Sequence, residues 1–375
     1  LVCAAVLATL AGCAAAPAGH VPADERWLHA EGRLNAAPGA FPTDRPLRVA
    51  VFGDVQGNRD AVRAVMASIR RQNPDLVLFL GDACTDLPTG HLPDWGVAAW
   101  AIPFWPQSAR GQTGFGLLSL VPFPALLHAG PLRLAAPPHD PEGFNLFLEE
   151  TWELRSAGVP MVFVPGNHDL YHRSQREELA SLLAAPSPAA LWSAVDAGPC
   201  RFIALDGGSD LWGDADPLRE GGEQETWLVE QLKDAAAKNL MPIVCLHYPP
   251  YSSAEFEPPM PEATRLAERV LSKHGVRLVL SGHAHMYERI VTRLRDADLT
   301  FVVTGGAGGP FTRVDPKRRD PGQKAAIEGL HHWVLLEIDA GGVRGRTVVL
   351  EPGSAENRPM WHEERDRFEI ERSPR

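Results

Sequence analysis

Short apolar runs alternate with stretches of helical periodicity through the middle of the chain. The runs have the length of buried strands and lie at 47–52, 75–80, 160–164, 200–205, 241–246 and 276–280. Helical spacing of apolar residues follows the first run, at Ala61, Val62, Val65, Met66 and Ile69. Four further helices are predicted at 145–155, 174–195, 224–238 and 262–274. This alternation predicts a mostly parallel sheet with functional loops at the carboxyl ends of its strands.

The last part of the chain has a different pattern. An apolar run at 300–304 leads into a glycine-rich turn at 305–309, and two further runs follow at 332–338 and 343–350. We expect these runs to be later strands of antiparallel pairing. The segment 351–375 is rich in charged residues, and we expect it to be a weakly packed tail.

A segment rich in Pro, Gly and Trp interrupts the rhythm at 87–141. Pro103, Pro122 and Pro124 exclude long helices and central strands around them. Because the segment leaves from the loop after the second strand, one interpretation is a cap over a functional site. Ordinary peripheral packing is the other interpretation.

The amino-terminal residues indicate targeting rather than fold. Residues 1–12 have the apolar character of a signal sequence, and 13–46 have the Ala, Pro and Gly content of a tether and lead-in to a domain at 47–350. Leu10-Ala-Gly-Cys13 resembles the lipobox of bacterial lipoproteins, which implies acylation of Cys13 and a membrane anchor. An ordinary secretory signal is the alternative. Either way, we expect export to the cell envelope of a bacterium.

Composition narrows the class of protein. Of 375 residues, 45% are hydrophobic and 22% are charged, which is typical of a globular chain. The net charge of -11 argues against non-specific binding to nucleic acid and against a basic surface for membranes. No apolar segment reaches the roughly 18 residues of a spanning helix.

The cysteines do not form a disulfide framework. Without Cys3 and Cys13, three remain: Cys84, Cys200 and Cys245. Because this number is odd, we expect buried free thiols. A soft metal contact from Cys84 is a minor alternative.

Side chains of the kind that bind metals follow five of the predicted strands. They are Asp54 with Gln56, Asp82, Asn167 with His168, His247, and His283 with His285. Each has an ordinary explanation by itself, since Gly-Asp is a common turn and a histidine after a strand is often part of a core. Five such groups at carboxyl ends indicate one shared site. Two histidines one residue apart on extended backbone point the same way and suit a pair of metal ions.

These groups resemble the sequence blocks of the calcineurin-like metallophosphoesterases. The matching residues are Gly53-Asp54, Gly81-Asp82, Gly166-Asn-His-Asp169, His247 and Gly282-His-Ala-His285, and the resemblance covers about 48–309. Two blocks, Gly282-His-Ala-His-Met-Tyr-Glu-Arg289 and Thr304-Gly-Gly-Ala-Gly308, are similar to the purple acid phosphatase branch. The resemblance implies an α/β (α+β) fold of four layers, with two packed mixed β-sheets flanked by helices.

The resemblance also implies roles for these residues. Asp54, Gln56 and His285 would hold one divalent metal ion, and Asn167, His247 and His283 a second. Asp82 would bridge the two ions. His168 would contact the phosphate or protonate the leaving oxygen, and Asp169 would orient its ring. The implied activity is hydrolysis of a small-molecule phosphomonoester or phosphodiester by a metal-bridging hydroxide.

Gln56 departs from the family pattern, in which a histidine is usual. An amide oxygen is a harder and weaker ligand than imidazole, which favours Mn²⁺ or Mg²⁺ over tightly held Zn²⁺. Iron also remains possible. Thr85 stands where the purple branch has its tyrosine, so we do not expect the ferric tyrosinate colour.

Two alternatives to a phosphoesterase remain. One is a catalytically silent metal- or ligand-binding lipoprotein that lost turnover with Gln56. The other is an amidohydrolase-type enzyme, which also uses His-x-His; there, however, the pair normally follows the first strand. The sequence leaves open the choice between monoester and diester, the natural substrate and the oligomeric state.

Overall fold

Two β-sheets face each other, and helices cover their outer surfaces. The computed structural model describes residues 41–56, 58–84, 143–170, 173–209, 217–350 and 362–372. Cys13 and the segments 1–12 and 87–141, for which we predicted a lipid anchor, a signal and a cap, lie outside these residues.

The first sheet has six strands in the order β13-β12-β11-β1-β2-β3. Its strands are β1 (Leu47–Phe52), β2 (Leu76–Phe79), β3 (Met161–Phe163), β11 (His331–Asp339), β12 (Gly342–Leu350) and β13 (His362–Glu371). The first three are parallel to one another, and β11 joins β1 in antiparallel register, with Val51 opposite Val334.

The second sheet has seven strands in the order β10-β8-β9-β7-β6-β5-β4. Its strands are β4 (Ser193–Ala197), β5 (Cys200–Leu205), β6 (Met241–Leu246), β7 (Leu278–Ser281), β8 (Tyr287–Leu294), β9 (Ala297–Thr304) and β10 (Gln323–Ile327). Strands β5, β6, β7 and β9 are parallel, whereas β4, β8 and β10 pair antiparallel.

Six helices lie in the described ranges. They are α1 (Arg59–Arg71), α2 (Gly143–Glu150), α3 (Trp152–Ser156), α4 (Arg173–Leu183), α5 (Glu223–Ala237) and α6 (Pro261–Arg269), with a 3₁₀ turn at Leu271–Lys273. Helix α1 begins where the Asn58 side chain accepts a hydrogen bond from Ala61 N–H. None of these helices combines the length and apolarity that crossing a bilayer requires.

Strand periodicity sorts most apolar residues of the described ranges into three large cores. In β1, Val49 and Val51 face the second sheet, where they meet residues such as Phe202 and Ile243. Phe52 points the other way and packs with α1 and α2. The outer face of the second sheet packs on α5 and α6. The predicted four-layer arrangement with two mixed sheets is therefore confirmed, and the expectation of one mostly parallel sheet is wrong.

The predicted buried strands agree with the structure, and some other elements differ. The helix predicted at 145–155 is divided at Thr151, whose hydroxyl donates to Phe147 O at 2.7 Å and competes with the helical hydrogen bonds. The helix predicted at 174–195 ends at Leu183, because Ala184 has φ +49° and two prolines follow. Its last residues belong instead to β4.

The expectation of a weakly packed tail is wrong for residues 362–371. They form β13, which pairs with β12 along its length. Asp366 accepts hydrogen bonds from Tyr287 Oη at 2.6 Å and from Arg289 Nε at 2.7 Å. These bonds connect the last strand to β8 of the other sheet, and the Arg289 guanidinium also lies over the Phe368 ring.

Cys84, Cys200 and Cys245 are free and buried, as predicted. Burial raises the pKa of the Cys200 thiol to about 12 and also raises the pKa of Cys245. Both thiols are therefore poor nucleophiles at neutral pH.

We expect Asp366→Asn to lower the free energy of unfolding by about 2 kcal/mol, because an amide cannot replace a charged acceptor for both Tyr287 and Arg289. Urea denaturation followed by circular dichroism measures the change. The control is Glu369→Gln, which neutralises an exposed carboxylate on the same strand. It should leave the midpoint of urea denaturation nearly unchanged. Equal stability of the two variants would show that β13 is held by its backbone alone.

Candidate metal centre

The predicted site residues lie in five loops at the carboxyl ends of five parallel strands. Asp54 and Gln56 follow β1, Asp82 follows β2, and Asn167 to Asp169 follow β3. From the second sheet, His247 follows β6, and His283 with His285 follows β7. The two sheets therefore deliver their loops to one place, as expected for parallel strands.

Three of these residues have a backbone conformation that is uncommon for non-glycine residues. The φ angles are +62° at Asp54, +62° at Asp82 and +67° at His283. The Asp54 and Asp82 turns hold each other: Asp54 N–H donates to Gly81 O at 2.9 Å, and Val55 N–H to Asp82 O at 3.1 Å. Strained backbone that its surroundings hold in place is typical of functional sites.

Asp54 contacts both members of the histidine pair, His283 and His285. Its two carboxylate oxygens each lie 3.1 Å from the backbone nitrogen of His283. His285 Nε2 lies 3.3 Å from Asp54 Oδ1. The glycine-rich loop after β9 also packs here, because Gly308 and Gly309 donate their N–H groups to Asp54 O at 2.8 and 2.9 Å.

Asp82 and Asn167 connect the remaining residues. Gln56 donates its side-chain amide N–H to Asp82 Oδ2, and His247 Nε2 lies 3.3 Å from the same oxygen. Asn167 Oδ1 lies 2.9 Å from His247 Nε2 and 3.2 Å from His283 Nδ1.

The structure thus brings all seven predicted ligands together in one connected set. Asp54, Asp82 and His247 are fully or almost fully buried, and one ligand atom from each lies within 4.8 Å of the others. Carboxylate, amide and imidazole donors of this kind suit divalent first-row ions and Mg²⁺. The residues present therefore fit a metal centre, and metal binding by the seven side chains stays a prediction.

Backbone carbonyls orient two of the imidazoles. His247 Nδ1 lies 2.7 Å from Leu80 O, and His285 Nδ1 lies 2.6 Å from Pro310 O. Since a carbonyl can only accept, each Nδ1 must carry a proton, which directs Nε2 toward the carboxylates. Histidine ligands of metals typically have such a partner.

The same carboxylates set the protonation of the site. Burial works against the charged form of His247, yet Asp82 outweighs it and raises the pKa of His247 to about 10. At His285 burial is likewise outweighed, by Asp54, and the pKa rises to about 9. Burial and the neighbouring His247 lower the pKa of His283 well below its ordinary value. Burial disfavours ionised Asp82, but His247 and His168 lower its pKa overall. Bound cations would take the place of the imidazolium protons.

Glycines allow the loops to approach this closely. A Cβ at Gly166 would lie 2.2 Å from Asp82 Oδ1, and one at Gly282 would lie 2.6 Å from Asp54 Oδ2. Both positions therefore exclude any side chain. The glycines of these two blocks bring the backbone against the carboxylates.

Asp169 holds two of the loops together. Its carboxylate accepts N–H groups from Gly166 and Asp82, both at 2.9 Å, from Ala83 at 2.8 Å and from Cys84 at 3.1 Å. Burial and the charge of Asp82 raise the pKa of Asp169 to about 7, against the effect of these donors. The four bonds fix the backbone of Asp82, a role that the sequence did not predict. The orientation of the His168 ring by Asp169 stays a prediction.

His168 lies at the edge of the cluster. Its backbone N–H donates to Asp82 Oδ1 at 3.0 Å, and its ring Nε2 lies 3.9 Å from Asp82 Oδ2. The side chain is 20% exposed, whereas that of Asp82 is 2% exposed. The imidazole can therefore meet a molecule that enters from solvent.

Sequence reasoning missed two residues beside the site. The Tyr248 ring packs 4.6 Å from the His283 ring and 5.4 Å from the His247 ring. Its position next to His247 in the sequence could have indicated it. Glu257 belongs to none of the sequence motifs, yet it interacts electrostatically with His285 and Asp54.

We expect Asp169→Asn to lower the free energy of unfolding by about 3 kcal/mol, because an amide leaves two of the four buried N–H donors without an acceptor. Thermal or urea denaturation measures it. Asp60→Asn, at an exposed aspartate, is the matched control and should change stability little. A loss at Asp169 no larger than at Asp60 would contradict the loop-holding role.

Solved structures show the same fold at low sequence identity. A purple acid phosphatase, PPD1, from yellow lupin (Lupinus luteus) seeds matches with a TM-score of 0.51 and 16% identity over 84% of this chain and 52% of that one. PhoD matches with a TM-score of 0.56 and 13% identity over 90% and 71%. The chain spans about half the length of the lupin protein. The sequence pattern that describes calcineurin-like phosphoesterases matches residues 47–287, more than half of the chain. The chain therefore belongs to the calcineurin-like phosphoesterase family.

Proposed function

We propose that this protein is a hydrolase of small-molecule phosphoesters that depends on two divalent metal ions. One observation supports the proposal above the others. Seven nitrogen- and oxygen-bearing side chains from five loops, two of them buried carboxylates, lie in one connected set of contacts, which the backbone N–H of His283 completes at Asp54. A fold needs no such set for stability, since buried carboxylates are costly unless they are paired.

The side-chain contacts divide into two groups, one at Asp54 and one at Asp82, and carboxylate oxygens of these two residues lie within 4.8 Å of each other. His285 contacts Asp54 in the first group. In the second, Asn167 contacts both His247 and His283. Asp82 contacts Gln56 on one side and His247 on the other. This division supports one ion at Asp54, Gln56 and His285, a second at Asn167, His247 and His283, and Asp82 between them.

The reaction needs a nucleophile, an activated phosphoryl group and a proton for the leaving oxygen. Bound divalent ions would polarise the phosphoryl group and lower the pKa of a water molecule toward neutrality. His168 would donate a hydrogen bond or a proton to the phosphoester, because its partly exposed imidazole borders Asp82. Asp169 keeps Asp82 in place through the backbone.

We expect turnover of p-nitrophenyl phosphate or bis-p-nitrophenyl phosphate to require added Mn²⁺. His247→Gln should lower kcat/KM at least 100-fold, because it removes a buried ligand that Asp82 and Asn167 both contact. His274→Gln, a partly exposed histidine at the end of the 3₁₀ turn, is the control and should retain activity. Turnover without added metal, or a kcat/KM that is unchanged in His247→Gln, would exclude the proposal.

A silent binding protein is the second candidate, and Gln56 is the residue that favours it. Gln56 presents its amide N–H to Asp82. For metal binding the amide would have to turn so that its oxygen faces the ion.

We expect Gln56→His to change the metal preference of an enzyme that is already active, with a gain for Zn²⁺ relative to Mn²⁺. Activity with each ion, and metal content measured by mass spectrometry, give the comparison. If the parent protein is inactive with every ion and the variant becomes active, the silent candidate is correct.

A further inference from the structure

Two chain segments form a wall beside the Asp54 side of the site. Segments 254–257 and 311–314 run antiparallel, with Ala254 opposite Val314 and Glu255 N–H donating to Arg313 O at 2.8 Å. The wall is attached to the site through Thr312, whose N–H donates to His285 O at 3.2 Å. Glu257 accepts a hydrogen bond from Thr312 Oγ1 at 2.6 Å. The Glu257 carboxylate is thus held near His285, a predicted metal ligand, with Thr312 bonded to both residues.

In the described ranges, the cationic side chain that acts on Glu257 is the imidazole of the predicted ligand His285. Among the residues that the structure describes, no Lys or Arg forms a salt bridge with it, and its one side-chain hydrogen bond to another residue is that from Thr312. Burial raises the pKa of Glu257, while Thr312 and His285 act in the opposite direction. A partly buried carboxylate costs stability, so its position beside His285 indicates a function.

Two aromatic residues that adjoin this pair in the sequence are exposed at the surface. Phe256 is 37% exposed and Phe311 is 40% exposed, and they are the exposed large hydrophobic residues found in the described ranges. Each is next in sequence to one member of the Glu257–Thr312 pair. The Phe311 ring packs 4.7 Å from the His331 ring. The wall therefore offers apolar surface next to a negative charge.

We propose that Glu257 determines specificity at this site and favours phosphodiesters over phosphomonoesters. This inference rests on the proposed function. A phosphodiester carries one negative charge and a second ester group, whereas a phosphomonoester carries two charges near neutral pH. Glu257 repels the additional charge of the monoester, and the diester does not carry that charge.

The Coulomb interaction with Glu257 sets how strongly the site distinguishes a monoester from a diester. One additional unit of charge a few Å from a carboxylate, at the effective dielectric of a partly buried site, changes binding by about tenfold or more. The Asp54 and Asp82 carboxylates act on both substrates through the metal ions that they would hold. Glu257 is not a predicted ligand, so its charge remains available to distinguish the substrates.

The test compares Glu257→Gln with Glu255→Gln. Glutamine at 257 has the same shape and can still accept the Thr312 hydrogen bond, so the wall should fold. Glu255 lies two residues away on the same segment and is exposed, which makes it a control for the loss of one charge. The substrates are p-nitrophenyl phosphate and methyl p-nitrophenyl phosphate, which share a leaving group and differ in charge.

Three measurements are made on the Mn²⁺-loaded protein at pH 8. They are kcat/KM for both substrates, the Kd of inorganic phosphate by calorimetry, and metal content by mass spectrometry. Glu257→Gln should raise the monoester-to-diester ratio of kcat/KM about tenfold and tighten phosphate binding by a similar factor. Both metal ions should remain, and Glu255→Gln should match the parent protein.

Three outcomes would overturn the inference. They are an unchanged ratio and unchanged phosphate affinity in Glu257→Gln, an equal change in Glu255→Gln, and loss of a metal ion from Glu257→Gln, which would make the residue part of the metal centre. Absence of turnover in the parent protein would instead overturn the proposed function. The phosphate titration would still test Glu257 in that case.

Discussion

Two carboxylates, Asp54 and Asp82, lie side by side in the interior, and the rest of the site exists around that arrangement. Like charges at this distance in a medium of low dielectric repel each other strongly. The chain compensates with His247 and His285, which point Nε2 at the carboxylates, and with the backbone N–H of His283 and His168. These partners offset the repulsion between the two buried carboxylates, and a pair of divalent cations would offset it further.

The fold makes this arrangement possible because the parallel strands of both sheets end on the same side. β1 and β2 place the acids, while β6 and β7 place the imidazoles from the opposite sheet. Hence the contacts of the site are also contacts between the two sheets. The apolar residues between the sheets, such as Val51 and Ile243, fix the distance at which the loops meet.

Much of the fold could be predicted from the sequence, for a physical reason. β1, β5 and β6 are buried on both faces along almost their whole length, so they appear as apolar runs broken only by Arg48 in β1 and Arg201 in β5, and their bounds agree with the predicted ones. β4, β8, β10 and β13 are partly exposed antiparallel strands of mixed polarity, and β13 contains only two apolar residues. Such strands are defined by their partners rather than by their own pattern. The site shows the same division: short blocks at strand ends indicated the seven residues that the structure brings together, whereas Glu257 and the backbone role of Asp169 depend on which loops meet.

The position of β1 has a consequence for how the molecule comes into being. β1 lies between β2, which follows it closely in sequence, and β11, which follows every strand of the second sheet in the chain. During synthesis, β1, the strand that Asp54 follows, has one open edge until β11 has left the ribosome. Contacts over such long sequence separations slow folding. The Asp54 loop therefore gains its second neighbouring strand late, and a metal ion that takes ligands from both sheets would bind late in folding.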